Sequence, residues 1–418
     1  MEFGSRRESD ADSIEEFPVP FERANDTTAE EMLGRGRDIQ AIPWERLQWT
    51  REQYRLNRLR HFRNYTNVLQ EGEDYNAYLE TLDKQCQATQ KQGQFYDFVV
   101  NSRQVESSIV HFQLRNLLWA TSKHDIYLMR DKCINHWDLM SYRCTQVMNL
   151  RDDGGTAERG SRLGPVTIST LCAGKGLLAA GGFNGQLVVQ KLTDENISHE
   201  GFITRNENGI TNALEIFDDH GGVRILTSNN DSKVRVFDAE SFKMESSFEF
   251  DWPVNNSTVC PFDGKIVAVV GDDPNGHILD RSSGTVISQL VGHKDFSFAA
   301  AWCPDSRVLA TGNQDLTTRL WDMRKTDAPF VVLRGNMGAI RSIRYSSDGR
   351  YLAMAEPADF VHIFDVESGY MQSQEIDVFG EISGIAYSPD GGNLFIGVVD
   401  ETYGSLLEYR RRSAITIW

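Results

Sequence analysis

The sequence predicts an all-β fold, a seven-bladed propeller behind a disordered acidic tail and an amphipathic helix, and three observations predict it. From about residue 95 onward the chain reads as short apolar strands broken by turn signals, with no sustained helical period. One strand of each unit closes on an acidic residue at Asp238 (VRVFD), Asp280 (GHILD), Asp322 (TRLWD) and Asp365 (VHIFD), and Tyr409 (LLEY) takes that place in a fifth unit. The steps are 42, 42, 43 and 44 residues. A beat of about 40 to 45 residues is that of a four-stranded propeller blade.

Along the chain, residues 1–33 hold ten acidic residues against three arginines, with few large apolar side chains and the breaker run Phe17-Pro18-Val19-Pro20. Such a segment buries too little surface to offset its ordering entropy, so it reads as an unfolded tail. Met1 to Ser5 (MEFGS) has the look of a cloning scar. Residues 34–94 read as a helical extension, of which 70–94 is polar and rich in Gln and Glu. Eight arginines and no lysine lie between 34 and 70, against three acids. Pro43 suits a helix start, and Leu56, Leu59, Phe62, Tyr65 and Leu69 follow at steps of three or four as one apolar stripe. The arginines then form a solvated face on a helix docked by that stripe. The other readings are a helix presented to a partner protein and a basic patch for nuclear import or nucleic acid.

Residues 95–418 form the propeller. The units open on strands that end in turn signals: Ile216-Phe217-Asp218, Cys260 to Gly264, Cys303-Pro304-Asp305, Ser346 to Gly349 and Ser388 to Gly391. Two looser units, around His111–Leu139 and Val166–Leu192, complete seven. An open ring would leave a bare strand edge. Phe95 to Asn101 is the preferred closing strand, with Ala414 to Trp418 the alternative.

Composition bounds the function. The chain has 418 residues, 40% hydrophobic and 25% charged, with a formal net charge of -17. That balance argues against a surface drawn to nucleic acid or anionic membrane, and favours partners that are basic or neutral proteins or peptides. No run of 18 apolar residues occurs. Six scattered cysteines, with no CxxC pair, suit reduced thiols in the cytoplasm or nucleus rather than a zinc site or a disulfide scaffold. Phosphate-loop, HExxH and EF-hand patterns are missing, so no cofactor and no metal is expected.

The fifth unit carries His293 after Gly292, Thr311 in its second strand, Asp315 in the next turn, and Trp321-Asp322 on its third strand. A histidine, a hydroxyl and a carboxylate invite comparison with a hydrolase triad, yet no GxSxG elbow accompanies them. Together with GRDIQAIPWERL, YRLNRLRHFRNY, GHKDFSFAAAWCPDSRVLATGNQDLTTRLWDMR and FGEISGIAYSPDGGNLFIGVVDETYGSLLEY, these residues resemble a WD-repeat (WD40) family found in fungi and plants. The resemblance runs from about Gly34 to Arg411. It implies a single seven-bladed WD40 propeller in which His293, Thr311, Asp315 and Trp321 are a structural hydrogen-bonded network. It brings no biochemical activity.

A non-enzymatic scaffold or adaptor is the function this reading gives, acting as a monomer within a complex. The repeat alignment places Trp252, Asn255, Phe296, Phe298, Arg341, Glu381 and Ser383 where inner strands open, around the channel mouth. Exposed Phe296 and Phe298 beside Arg341 would make an anchor group for a peptide; in the other reading the two rings pack between adjacent blades. Acids at Glu356, Asp359, Asp400 and Glu401, with Glu375, Asp377 and Glu381, read as a rim patch suited to a basic peptide. The alternative function rests on Trp321, Asp322 and Arg324, a WDxR pattern resembling the docking box of cullin-4 ubiquitin ligase substrate receptors.

Overall fold

A computed structural model describes residues 26–67, 74–151, 163–219 and 221–412. Its strands gather into five four-stranded antiparallel sheets and one eight-stranded sheet. The first sheet is typical: Leu118–Ala120, Asp125–Arg130, Cys133–Asp138 and Arg143–Asn149 pair in chain order. Strands facing a neighbouring sheet on both sides read as continuous apolar runs. Leu177–Gly182 and Gln186–Lys191 are buried almost throughout, whereas the outermost Met244–Glu249 is mostly exposed.

The first strands of successive sheets touch one another in sequence, and the last of them, within Ser373–Tyr387, touches Leu118–Ala120. A side chain at the head of one inner strand donates to a carbonyl at the head of the next. Ser169 Oγ reaches Thr211 O at 2.6 Å, Asn212 Nδ2 reaches Val254 O at 2.8 Å, and Asn255 Nδ2 reaches Ser297 O at 3.1 Å. Each of these bonds spans 42 residues of sequence. Between the sheets lie shared apolar clusters, such as Leu226, Val234 and Val236 against Val254, Val267 and Val269.

The eight-stranded sheet arises because Ser373–Tyr387 serves twice. Ser373 to Asp377 pair with Phe364 to Phe360, and Ile382 to Tyr387 pair with Val398 to Leu394. The sheet ends on Tyr96–Ser102, which pairs antiparallel with Ser405–Arg411 (Phe98 opposite Tyr409), so the preferred N-terminal segment lies where the ring's ends meet. The alternative closing strand, Ala414 to Trp418, lies outside the described residues.

Three expectations change. The segment to residue 33, expected to be unfolded, is ordered from Asp26. Thr27–Thr28 adds to the outside of Tyr96–Ser102, and helix α1 (Ala29–Arg35) follows, capped by a Thr28/Glu31 capping box and ended by Gly36 at φ 64. An available strand edge and a good cap outweigh the acidic composition there. Residues 1–25, including MEFGS, lie outside the described residues.

The arginine-rich helix does not begin after Pro43, where Trp44–Arg46 makes only a short 3-10 turn. Helix α2 is Arg51–His61, entered through a Thr50/Gln53 capping box. It stops before Phe62, so Tyr65 is not helical, and Leu69 lies outside the described residues. Thirdly, helix α3 (Tyr75–Asp83) forms in a stretch read as polar, with Leu82 as its buried anchor.

Gly380 sits where Ser373–Tyr387 passes from one pairing to the other, at φ 123. An added Cβ would lie 2.8 Å from Val398 Cγ1 and 2.9 Å from Val399 O. Gly380→Ala is therefore expected to cost about 2–4 kcal/mol of unfolding free energy in a urea titration. A change below about 0.5 kcal/mol would contradict the strained crossover.

Candidate functional site

The fifth-unit network is compact and closed. His293 Nε2 lies 2.8 Å from Thr311 Oγ1 and its Nδ1 3.0 Å from Asp315 Oδ2, while Trp321 Nε1 donates to Thr311 Oγ1 at 2.9 Å. Asp315 also accepts from the Lys294 N–H at 2.9 Å and from Thr317 Oγ1 at 2.5 Å. Burial holds the His293 imidazole below its ordinary range, against the pull of Asp315 in the other direction. Burial alone would raise Asp315, but His293 and the donated hydrogen bonds outweigh it and lower the carboxyl.

The sixth unit, which lacks the histidine before its inner strand, builds a surrogate that the sequence reading missed. Glu356 is fully buried and accepts from the N–H groups of Asn336, Met337 and Gly338 at 2.6, 2.8 and 2.6 Å, and lies 2.8 Å from His362 Nε2. The signal was a carboxylate two residues ahead of a strand, in a turn where Gly or Ser is usual.

The channel-mouth residues are largely not presented to solvent, which corrects the expected anchor group. Phe298 is buried beneath Arg341, whose guanidinium lies 4.0 Å from the ring centroid and donates to Gln314 Oε1 at 2.6 Å. Burial, with Arg115 nearby, pushes Arg341 down to about 9. Trp252 packs against Phe250 and His277. Asn255 is spent on the inter-sheet bond and on Asp272 Oδ1 at 2.8 Å, and Ser383 is fully buried. The stretch His111 to Asn116 crosses the mouth instead of opening a strand: the Leu117 N–H donates to Ser383 O, and Arg115 pairs with Glu381 at 3.1 Å. Phe296 is half-buried, and Glu381 stays exposed. Charged and aromatic groups at strand heads pack on one another here, with Arg115 and His111 of the 111–116 segment close enough to Arg341 for their charges to act on one another.

The acidic rim is filled by the chain itself. Asp359, at φ 72 in the register shift between Ala358 and Phe360 at the start of Ala358–Asp365, is fully buried, and Asp377 ends the facing strand half. Arg55 of α2 reaches Asp359 Oδ2 at 2.6 Å, Asp377 Oδ1 at 2.6 Å and Val378 O at 2.5 Å. Its guanidinium lies 4.5 Å from the Phe360 ring centroid and 4.1 Å from that of Phe379. Arg58 makes a two-pronged pair with Asp359 (2.5 and 2.9 Å), and Arg51 reaches Asp377 at 2.9 Å. Tyr54 and Trp44 pack on Phe379, and Gln40 exchanges two hydrogen bonds with the Phe379 backbone at 2.7 and 2.6 Å.

The strap continues beyond the helix. Asn64 donates to Gln314 O at 2.8 Å and Asn67 Nδ2 to Asp295 Oδ1 at 2.7 Å, while Lys91 meets Glu375 at 2.8 Å. Helix α2 therefore docks through Arg51, Tyr54, Arg55 and Arg58. Of the predicted docking stripe, Leu56 (62% exposed) and Leu59 (38% exposed) turn away from the recess, while half-buried Phe62 lies beside Gly338.

At the opposite mouth, where inner strands end, Glu215, Arg344, Trp119, Trp302 and Tyr345 border a cavity of about 360 Å³. Burial pushes the Glu215 carboxyl up to about 7 and the Cys172 thiol up to about 12. Trp321 is fully buried, Asp322 is partly exposed, and Arg324 is exposed but paired with Asp322 at 2.9 and 2.5 Å. Among the described residues no group of three or more His, Cys, Asp or Glu is placed to hold a metal, and no helix is long and apolar enough to cross a membrane. All six cysteines are free thiols.

These sheets, laid side by side in a ring, define a β-propeller. Residues 284–322 match the WD40 family, described as WD domain, G-beta repeat. The chain is 31% identical over 122 residues to small ribosomal subunit protein RACK1y of Oryza sativa subsp. japonica, covering 28% of this chain and 35% of that one. It is 24% identical over 147 residues to pre-mRNA-processing factor 19 of Mus musculus, covering 34% and 28%. These matches span about a third of the relatives' own length. Among solved structures, a chain of a mitotic checkpoint complex crystal structure superposes with a TM-score of 0.61 at 16% identity, covering 84% of this chain and 99% of that one, which shows the fold.

Removing one partner from a buried ion pair strands the other charge. Asp359→Asn keeps shape and left-handed tolerance but pairs poorly with both Arg55 and Arg58, and is expected to cost about 3 kcal/mol in a urea titration. Arg46→Ala, at a side chain 80% exposed, is expected to change stability by less than about 0.5 kcal/mol. Equal effects would contradict the buried clamp.

Proposed function

We propose that the chain is a non-enzymatic protein-interaction scaffold: a single seven-bladed ring over residues 95–418 with residues 34–94 tied across one mouth. The observation that carries this reading is the enclosure of His293, Thr311 and Asp315, which are 5%, 1% and 1% exposed and already bonded to one another. The residues that most resemble reaction machinery are out of a substrate's reach, so the ring acts through its surface. Relatives named as a pre-mRNA-processing factor and a serine-threonine kinase receptor-associated protein support work inside protein assemblies.

The partners are proteins or peptides, basic or neutral where they meet the acidic ring, with no cofactor, no nucleic acid and no membrane involved. The protein acts as a monomer within a complex in the cytoplasm or nucleus. With Phe298 and Arg341 withdrawn into the wall, partner contact at the strapped mouth falls to Phe296 and Glu381 and the neighbouring Asp400 and Glu401. A second reading, the cullin-4 ligase receptor, is favoured by Arg324, whose side chain is 77% exposed just beyond the buried Trp321.

One experiment tests both: affinity purification of the full chain as wild type, as Phe296→Ala with Glu401→Lys, and as Arg324→Ala, with melting curves for each. The scaffold reading expects stoichiometric protein partners with the wild type and loss of at least one in the double variant at unchanged stability. A wild-type eluate without partners would overturn it. Absence of the large ligase adaptor from that eluate, or its retention by Arg324→Ala, removes the receptor reading.

A further inference from the structure

Helix α2 is mounted against its own amphipathicity. Arg51, Arg55 and Arg58 enter the acidic recess, while Leu56 (62% exposed) and Leu59 (38% exposed), one turn apart, point to water. Full burial of a leucine is worth about 1.5–3 kcal/mol; Leu56 forgoes the larger part of this and Leu59 less than half, and the sequence retains both on an 11-residue helix. The outward face is also basic. Arg60, one turn beyond Leu56, is exposed, as is Arg63 just past the helix end, and among the described residues neither has a carboxylate within ion-pair reach. Exposed Tyr65 and Phe112 follow, edge to face at 6.1 Å.

We infer that the outward face of α2 is a docking surface for an acidic amphipathic helix of another protein. Its apolar stripe would cover Leu56 and Leu59, and its carboxylates would meet Arg60 and Arg63. This inference rests on the scaffold reading and names one partner chemistry for it. Charge complementarity selects the occupant. A second copy packing α2 on α2 would set Arg60 and Arg63 against their equivalents, and the acidic recess of a second copy is already filled by that copy's own Arg55 and Arg58. The clamp serves the docking too, because a helix locked by three arginines presents its face without paying for ordering on association.

The test places the photo-crosslinking amino acid p-benzoylphenylalanine at position 56, and separately at position 381, of the full chain in its native cells, and sequences the crosslinked peptides. The expected product at 56 is a segment of a different protein with apolar residues at helical spacing and flanking Asp or Glu. Its yield should fall at least about tenfold in Leu59→Ser with Arg60→Glu and Arg63→Glu, a loss equal to about 1.4 kcal/mol, at unchanged melting temperature. Crosslinks from 56 to residues 1–25 of the same chain, to a second copy, to a basic segment or to nothing would each overturn the proposal. A partner at 381 with none at 56 sinks this surface alone, whereas no partner at either position sinks the scaffold reading with it.

Discussion

The Arg55 guanidinium, gripped by Asp359 and Asp377 and sandwiched between Phe360 and Phe379, is the contact on which the strapped mouth depends. A buried carboxylate such as Asp359 is tolerable only when it is paired and hydrogen-bonded. Two guanidiniums and the Gly380 N–H supply that pairing. Planar, weakly hydrated guanidinium does this better than ammonium, since it bonds two acids in its plane and stacks on rings above and below. Of the eight arginines between 34 and 70, Arg51, Arg55 and Arg58 answer that demand.

The clamp also orders what surrounds it. Phe379 lies between the two halves of the twice-used strand Ser373–Tyr387, so the helix rests on the crossover that joins the sixth and seventh groups of strands. The seventh group is completed by Tyr96–Ser102, the strand directly after the strap. Strap, crossover and ring closure are therefore neighbours, held together among the described residues by 26–67 and 74–102. The acidic ring and basic strap partly neutralise each other in cis, leaving Glu381, Asp400 and Glu401 on one side and Arg60 and Arg63 on the other.

Much of the ring was legible because its constraint is periodic. A bond such as Asn212 to Val254 O repeats one unit later as Asn255 to Ser297 O, so turn signals and closing acids repeat with it. The His293 network was legible for the same reason, each member occupying a fixed offset within one unit. The orientation of α2 was not. Helical periodicity shows that two faces differ but not which one the protein needs, and inward apolar packing is only the common case. Both halves of the answer stood in the sequence, as arginines without lysine and as acids in the turns Ala355–Asp359 and Asp400–Thr402, but nothing local joins residues some 300 positions apart. Phe298 and Arg341 misled differently: the repeat placed them at strand heads, and the crossing segment 111–116, which follows no repeat, enclosed them.

Amide hydrogen exchange of the full chain measures the central claim directly. If α2 is clamped as an integral part of the ring, amides of residues 55–61 exchange as slowly as those of strand Ala358–Asp365 and lose protection in the same range of urea. Exchange of 55–61 within seconds in buffer, while Ala358–Asp365 stays protected, would contradict it.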